Sequence, residues 1–122
     1  MDALEQEAIA RLQERMDAIQ VADRCANAIG QPGAWCQHTM ARTASGDGCV
    51  PHREDAAAWC ARGIVYRFAP FVRVLLADAM AAEVARRNFA SLVAFADHPD
   101  TTQQDAADFW RGVSRRLKEA AS

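Results

Sequence analysis

Glycine and proline are absent from residues 1–29 and then crowd into residues 30–51. This asymmetry constrains the chain more than any other feature. A long stretch without either helix breaker can run as one uninterrupted helix. The apolar pattern agrees: Leu4, Ala8, Leu12, Met16, Ile19, Ala22 and Ala26 recur at spacings of three and four. They predict a single apolar stripe on a helix over 2–29, with Glu5, Glu14, Asp17 and Arg24 opposite. Glu7, four residues before Arg11, adds a local ion pair. Gly30, Pro32 and Gly33 end the helix, glycine supplying a left-handed cap.

The glycine-rich region that follows reads as an irregular loop over 30–52. Ser45-Gly46-Asp47-Gly48 marks a turn inside it, and a small hairpin over 39–51 is an open alternative to a plain loop. Beyond it the helical period returns. Residues 53–68 predict a helix that buries Ala56, Trp59, Cys60, Gly63, Ile64 and Phe68, with Gly63 letting another backbone approach closely. Pro70 suits the first turn of a further helix carrying Val72, Leu75, Leu76, Ala79, Met80 and Val84, bent or frayed near Arg86 to Asn88. Phe89, Leu92, Val93 and Phe95 predict a short helical piece that stops at Asp97-His98-Pro99. The last helix starts at Thr101 or Thr102, with Thr101 and Gln104 matching a capping box, and buries Ala106, Trp110, Val113 and Leu117. The expectation is an all-α domain over 1–122, a bundle of four or five helices with a frayed tail at 119–122. In it, Trp59, Cys60 and Ile64 pack against Leu75, Leu76 and Trp110.

Composition bounds the function classes. The 122 residues are 51% hydrophobic and 25% charged, with a formal net charge of -2. That is the balance of one globular domain, and it argues against a protein that wraps a nucleic-acid backbone. No apolar run is long enough to span a membrane, and an acidic start with no apolar run after it is unlike an export signal. A cytoplasmic protein with reduced thiols is therefore expected. No phosphate-binding glycine loop, dinucleotide fingerprint, zinc-protease motif or serine-hydrolase elbow is present.

Three constellations could carry chemistry. Cys36 and His38, then Cys49 and His52, offer the ligand types of a structural zinc site, with Cys60 nearby. Their spacing is not a standard zinc pattern, and buried cysteines often serve as small hydrophobes. Cys60 with His38, His52 or His98 and an acid such as Asp97 has the residue types of a cysteine nucleophile, its base and an orienting group. A mid-helix position beside Trp59 would deny that thiolate the help of a helix N-terminus. Asp97, Asp100, Asp105 and Asp108 could attract a cation, although two of them suit the first turn of a helix. Arg86, Arg87, Arg111, Arg115 and Arg116 read as a solvated face or a protein contact.

Gly33-Ala34-Trp35-Cys36-Gln37 is followed by Ala58-Trp59-Cys60-Ala61-Arg62-Gly63-Ile64, then by Ala94-Phe95-Ala96-Asp97 before Thr101-Thr102 and the closing helix. In this order the motifs resemble an uncharacterised family of small helical domains from actinobacteria and their phages. In that family a G-W-x-Q element, a W-C-x-x-G-A helix and an N-D turn recur in this order. Here Ala34 is inserted in G-W, Ile64 stands after Gly63 and Ala96 replaces the asparagine. The resemblance spans about residues 20–118. It implies a helical fold and a phage or mobile-element setting, and no particular reaction.

These readings converge on a small cytosolic, non-enzymatic protein that binds another protein, such as an inhibitor of a host system. The alternatives are a cysteine-centred enzyme at Cys60 or a zinc-stapled interaction domain. The expected contact surface is the long loop, with Trp35, Gln37, His38, Arg42 and His52, joined by Arg111, Arg115 and Arg116 of the last helix. A loop longer than the usual helix–helix link is ordered only if something holds it.

Overall fold

The computed structural model describes residues 2–120. Its order is α1 (Ala3–Ile29), β1 (Ala41–Thr43), β2 (Gly48–Cys49), β3 (Ala56–Trp59), α2 (Val65–Phe68), α3 (Val74–Arg86), α4 (Leu92–Ala96) and α5 (Gln103–Glu119). The all-α expectation is therefore corrected: five helices share the domain with a small antiparallel sheet of order β2-β1-β3. The expected helix over 53–68 is a strand, a turn and a single helical turn. Alanine favours helix, but Ala56–Trp59 gains paired backbone from β1, with Ala41 opposite Trp59 and Arg42 opposite Ala58. Tertiary pairing overrides local propensity here.

The glycine-rich region folds as a hairpin. Ala41 faces Cys49, and the turn closes through Thr43 N–H to the Asp47 carbonyl at 2.8 Å. The cap of α1 also differs from expectation. Gly30 keeps right-handed geometry, and the left-handed residue is Gly33. At the other end, α3 starts at Val74 rather than Pro70. The capping box of α5 is built by Thr102 and Asp105, one residue later than the Thr101–Gln104 pair. Thr101 is buried instead and donates its hydroxyl to the Phe95 carbonyl. The expected frayed tail is helical at Glu119, Ala120 closes the helix, and residues 121–122 lie outside the described residues.

The core lies where the second half of α1 crosses α5. Ala18, Ala22, Cys25, Ala26 and Ile29 supply one wall, and Ala106, Phe109, Trp110, Val113 and Leu117 the other. Small alanines on α1 let the two helices approach closely. Trp59, Cys60, Ile64, Leu76 and Trp110 are buried in the same cluster, and Leu75 packs on its edge. Trp110 Nε1–H donates to the Ala61 carbonyl at 2.8 Å, which ties α5 to the turn after β3.

The first half of α1 departs from its expected stripe. Leu4, Ile9, Leu12 and Met16 are exposed, and the buried face of the helix begins only at Ala18. Periodicity marks an apolar face but not whether anything covers it. No helix among the described residues is long and apolar enough to cross a membrane.

Candidate functional site

Two surfaces draw attention, one polar and one apolar. The polar one gathers residues from the loop, the turn after β3, and α4. A cleft of about 150 Å³ is lined by His38, Thr39, Met40, Cys60, Arg62, Val93, Ala96 and Asp97. His38, Cys60 and Asp97 do meet there, although they are far apart in sequence.

The chemistry of the cleft is set by what those groups already touch. Cys60 ends the extended segment of β3 rather than sitting mid-helix. The Gly63 N–H donates to its Sγ at 3.2 Å. This bond favours a thiolate, but burial outweighs it and raises the Cys60 pKa, and the nearby Asp97 charge raises it further. Asp97 is also engaged, its Oδ1 accepting the His38 backbone N–H at 2.9 Å. His38 itself has φ 69, a left-handed conformation uncommon outside glycine. His98 points into another contact: its Nδ1 accepts the Asp100 N–H, and its ring packs edge-on against Phe89. A buried thiol above its ordinary pKa is a poor nucleophile.

The remaining loop residues act mainly as internal ties. Gln37 Nε2 donates to the Ala96 carbonyl at 3.1 Å and the His98 carbonyl at 2.8 Å, pinning the loop to the end of α4. Arg42 donates to the Gly46 carbonyl across the hairpin turn and to the Gln37 carbonyl. Trp35 is half-buried and pairs with Trp59 in an isolated parallel bridge. His52 is exposed beside a shallow depression that also involves Met40, Arg62 and Tyr66. Among the described residues no group of three or more His, Cys, Asp or Glu is placed to hold a metal ion, the set Cys36, His38, Cys49 and His52 included.

The three arginines of α5 have separate roles. Arg111 pairs with Asp108 at 2.8 Å, Arg115 is exposed, and Arg116 reaches back to Glu83 of α3 at 3.2 Å. They sit about 14–21 Å along α5 from its Thr102 cap.

Glu83 is the buried ionisable group that sequence reasoning missed. It is 2% exposed and accepts from Arg86, Arg87 and Arg116. Burial pushes its pKa up, but the three guanidinium hydrogen bonds prevail and hold it down at about 2. Room for the carboxylate comes from Gly112, where a Cβ would meet Glu83 Oε2. Arg86 and Arg87, three and four residues on, were a local signal. Arg116 was visible only through the fold.

The apolar surface flanks α3. A groove of about 240 Å³ lies between α1 and the segment leading into α3, lined by Ala18, Val21, Ala69, Pro70, Phe71 and Leu76, with Glu14, Asp17 and Arg73 at the rim. Glu14 fixes its shape. One carboxylate oxygen accepts the Leu75 N–H at 3.1 Å, capping α3, and the other pairs with Arg73 at 3.5 Å. Phe71 is 83% exposed and Val74 69%.

Residues 13–116 match the family of unknown function DUF6197. The chain belongs to DUF6197. Neither a curated protein nor a solved structure matches it. The DUF6197 span takes in both the polar cleft and the apolar groove, and leaves out only the first residues of exposed α1 and the end of α5.

Proposed function

We propose that this DUF6197 protein is a non-enzymatic protein-binding module that docks its partner in the groove between α1 and α3. The exposure of Phe71 and Val74 beside that groove carries the reading. A large aromatic held almost wholly in water gains little for the fold and suits an anchor in a partner's pocket. The first half of α1 adds Leu4, Ile9, Leu12 and Met16 to the exposed apolar surface. A groove with apolar walls and a charged rim suits an amphipathic segment, whose apolar side chains enter while its polar face stays in water.

The polar loop supports this assignment by contrast. Gln37 and Arg42 spend their donors on the protein's own carbonyls, so they hold the loop and leave recognition to the groove. The resemblance to helical domains of phages extends the proposal to a cytoplasmic accessory protein of a mobile element that inhibits a host system. The net charge of -2 favours a protein partner over nucleic acid.

The test is capture from lysate of the source cell with the full chain as bait, beside a Phe71→Ser, Val74→Ser double variant shown to be folded by circular dichroism. The proposal expects a protein retained by the parent and lost by the double variant. Undiminished capture by the double variant would move the functional surface elsewhere, first to Arg111 and Arg115.

A further inference from the structure

Two cysteines far apart in sequence are brought together where the loop after α1 runs alongside β3. The Trp59 N–H donates to the Ala34 carbonyl at 2.9 Å, and the Cys36 N–H donates to the Trp59 carbonyl at 3.0 Å. This is the parallel bridge between Trp35 and Trp59. The next residue along each segment is a cysteine, so continuing the bridge by one residue sets Cys36 beside Cys60, and the two thiols are close enough to influence each other electrostatically. Residues in register on adjacent strands project to the same face, about 4.8 Å apart. A disulfide needs a Cα separation of about 4.4–6.8 Å.

The other two cysteines are placed differently. Cys49 is in register with Ala41, which is in register with Trp59. Alternation along the strands therefore sends Cys49 to the face of Trp59 and Cys60 to the opposite one. Cys25 is buried in α1 against the core.

We propose that Cys36 and Cys60 are a redox pair that closes to an intramolecular disulfide when the protein meets a peroxide. Cys36 is the half-exposed member and takes the first step. Its thiolate attacks one peroxide oxygen, the O–O bond breaks, and Cys36 becomes a sulfenic acid while the other oxygen leaves as hydroxide. The Cys60 sulfur then attacks the Cys36 sulfur. The S–S bond forms, the S–O bond breaks, and the departing hydroxide takes the Cys60 proton as water. Two thiols lose two electrons, hydrogen peroxide gains them, and two waters result.

The surroundings slow both steps without blocking them. Burial and the neighbouring Cys60 push the Cys36 pKa up to about 11, with a smaller push from Cys49, while the nearby Arg42 charge pulls it down. The Cys36 thiol itself donates to the Thr39 carbonyl at 3.8 Å. The pair therefore reacts slowly at neutral pH and faster in mildly alkaline buffer. The small cleft beside His38 and Arg62 borders Cys60 and gives it a route to solvent. Transient disulfides of this kind are the form that redox sensing takes among otherwise reduced thiols.

The experiment treats the reduced full chain with hydrogen peroxide, blocks remaining thiols with iodoacetamide in denaturant, and maps tryptic peptides by mass spectrometry. Cleavage after Arg24, Arg42, Arg53 and Arg62 puts Cys36, Cys49 and Cys60 on separate peptides. Fragment ions distinguish Cys36 from Cys25, which shares its peptide. The expected product is a Cys36–Cys60 linked peptide lacking two hydrogens, lost on treatment with dithiothreitol and absent from Cys36→Ser. The parent chain alone decides the outcome if that variant fails to fold. A Cys36–Cys49 link, a link between two chains, or Cys36 over-oxidised with Cys60 still alkylated would each overturn the proposal.

Discussion

At the residue scale, Glu83 shows how a fold can hold a charge inside. Its carboxylate is buried, yet it stays ionised because Arg86, Arg116 and Arg87 surround it. Glu83→Gln leaves those guanidinium groups without a counter-charge. The expected loss is about 3 kcal/mol in urea denaturation, at the low end for a broken buried pair because Arg86 and Arg116 are partly exposed. The pH dependence follows from the same contacts. A carboxyl depressed to about 2 contributes stability that is present above the unfolded carboxylate value and is lost as pH falls through about 2. Acid titration of the parent and of Glu83→Gln should therefore differ most at neutral pH and converge toward pH 2. Curves that stay parallel would remove Glu83 from the account. Gly63 makes a second residue-scale case. A Cβ there would fall on the Met40 carbonyl, so Gly63→Ala should cost about 3 kcal/mol in the same assay, the range for overpacking against a rigid neighbour. That close approach was legible in the sequence even though the element around Gly63 was not. A glycine amid apolar residues signals proximity whether it lies in a helix or a turn.

At the element scale, what could be read and what could not has a physical pattern. α1, α3, α4 and α5 appear because each carries a helical period bounded by recognisable breakers or caps. β3 does not appear, because Ala56–Trp59 is too short to show alternation and its alanines favour helix in isolation. Its partner β1 is separated from it in sequence by β2, and only that pairing makes it a strand. The residue types of the polar cleft were legible, since His38, Cys60 and Asp97 were read as one candidate constellation and do line it, but the contact that joins them was not. His38 and Asp97 meet through a backbone N–H, a donor no residue type announces. The stripe on α1 gives the opposite lesson. Leu12 and Met16 are as apolar as core residues, but both stay more than half exposed. Leu12→Ser with Met16→Ser should leave the thermal midpoint nearly unchanged, within about 0.5 kcal/mol, since no buried contact is lost. Trp59→Ala provides the contrast. It removes a buried indole whose Nε1–H donates to the Pro51 carbonyl, and it should cost about 3–5 kcal/mol. Equal destabilisation by the two changes would mean that the first half of α1 is packed after all.

At the scale of the whole molecule, the polar and apolar surfaces divide the work. The loop is tied down by Gln37 and Arg42, Glu83 of α3 is held by Arg86, Arg87 and Arg116, and Arg111 pairs with Asp108 within α5. Phe71 at the apolar groove is 83% exposed, and recognition is proposed to lie there. The most direct measurement places a photo-crosslinking phenylalanine analogue at Phe71 in living source cells and, in a second strain, at exposed Gln104 of α5. The account predicts a discrete covalent adduct to another protein from position 71 and none from position 104. Adducts of equal yield from both positions, or an adduct from 104 alone, would contradict it.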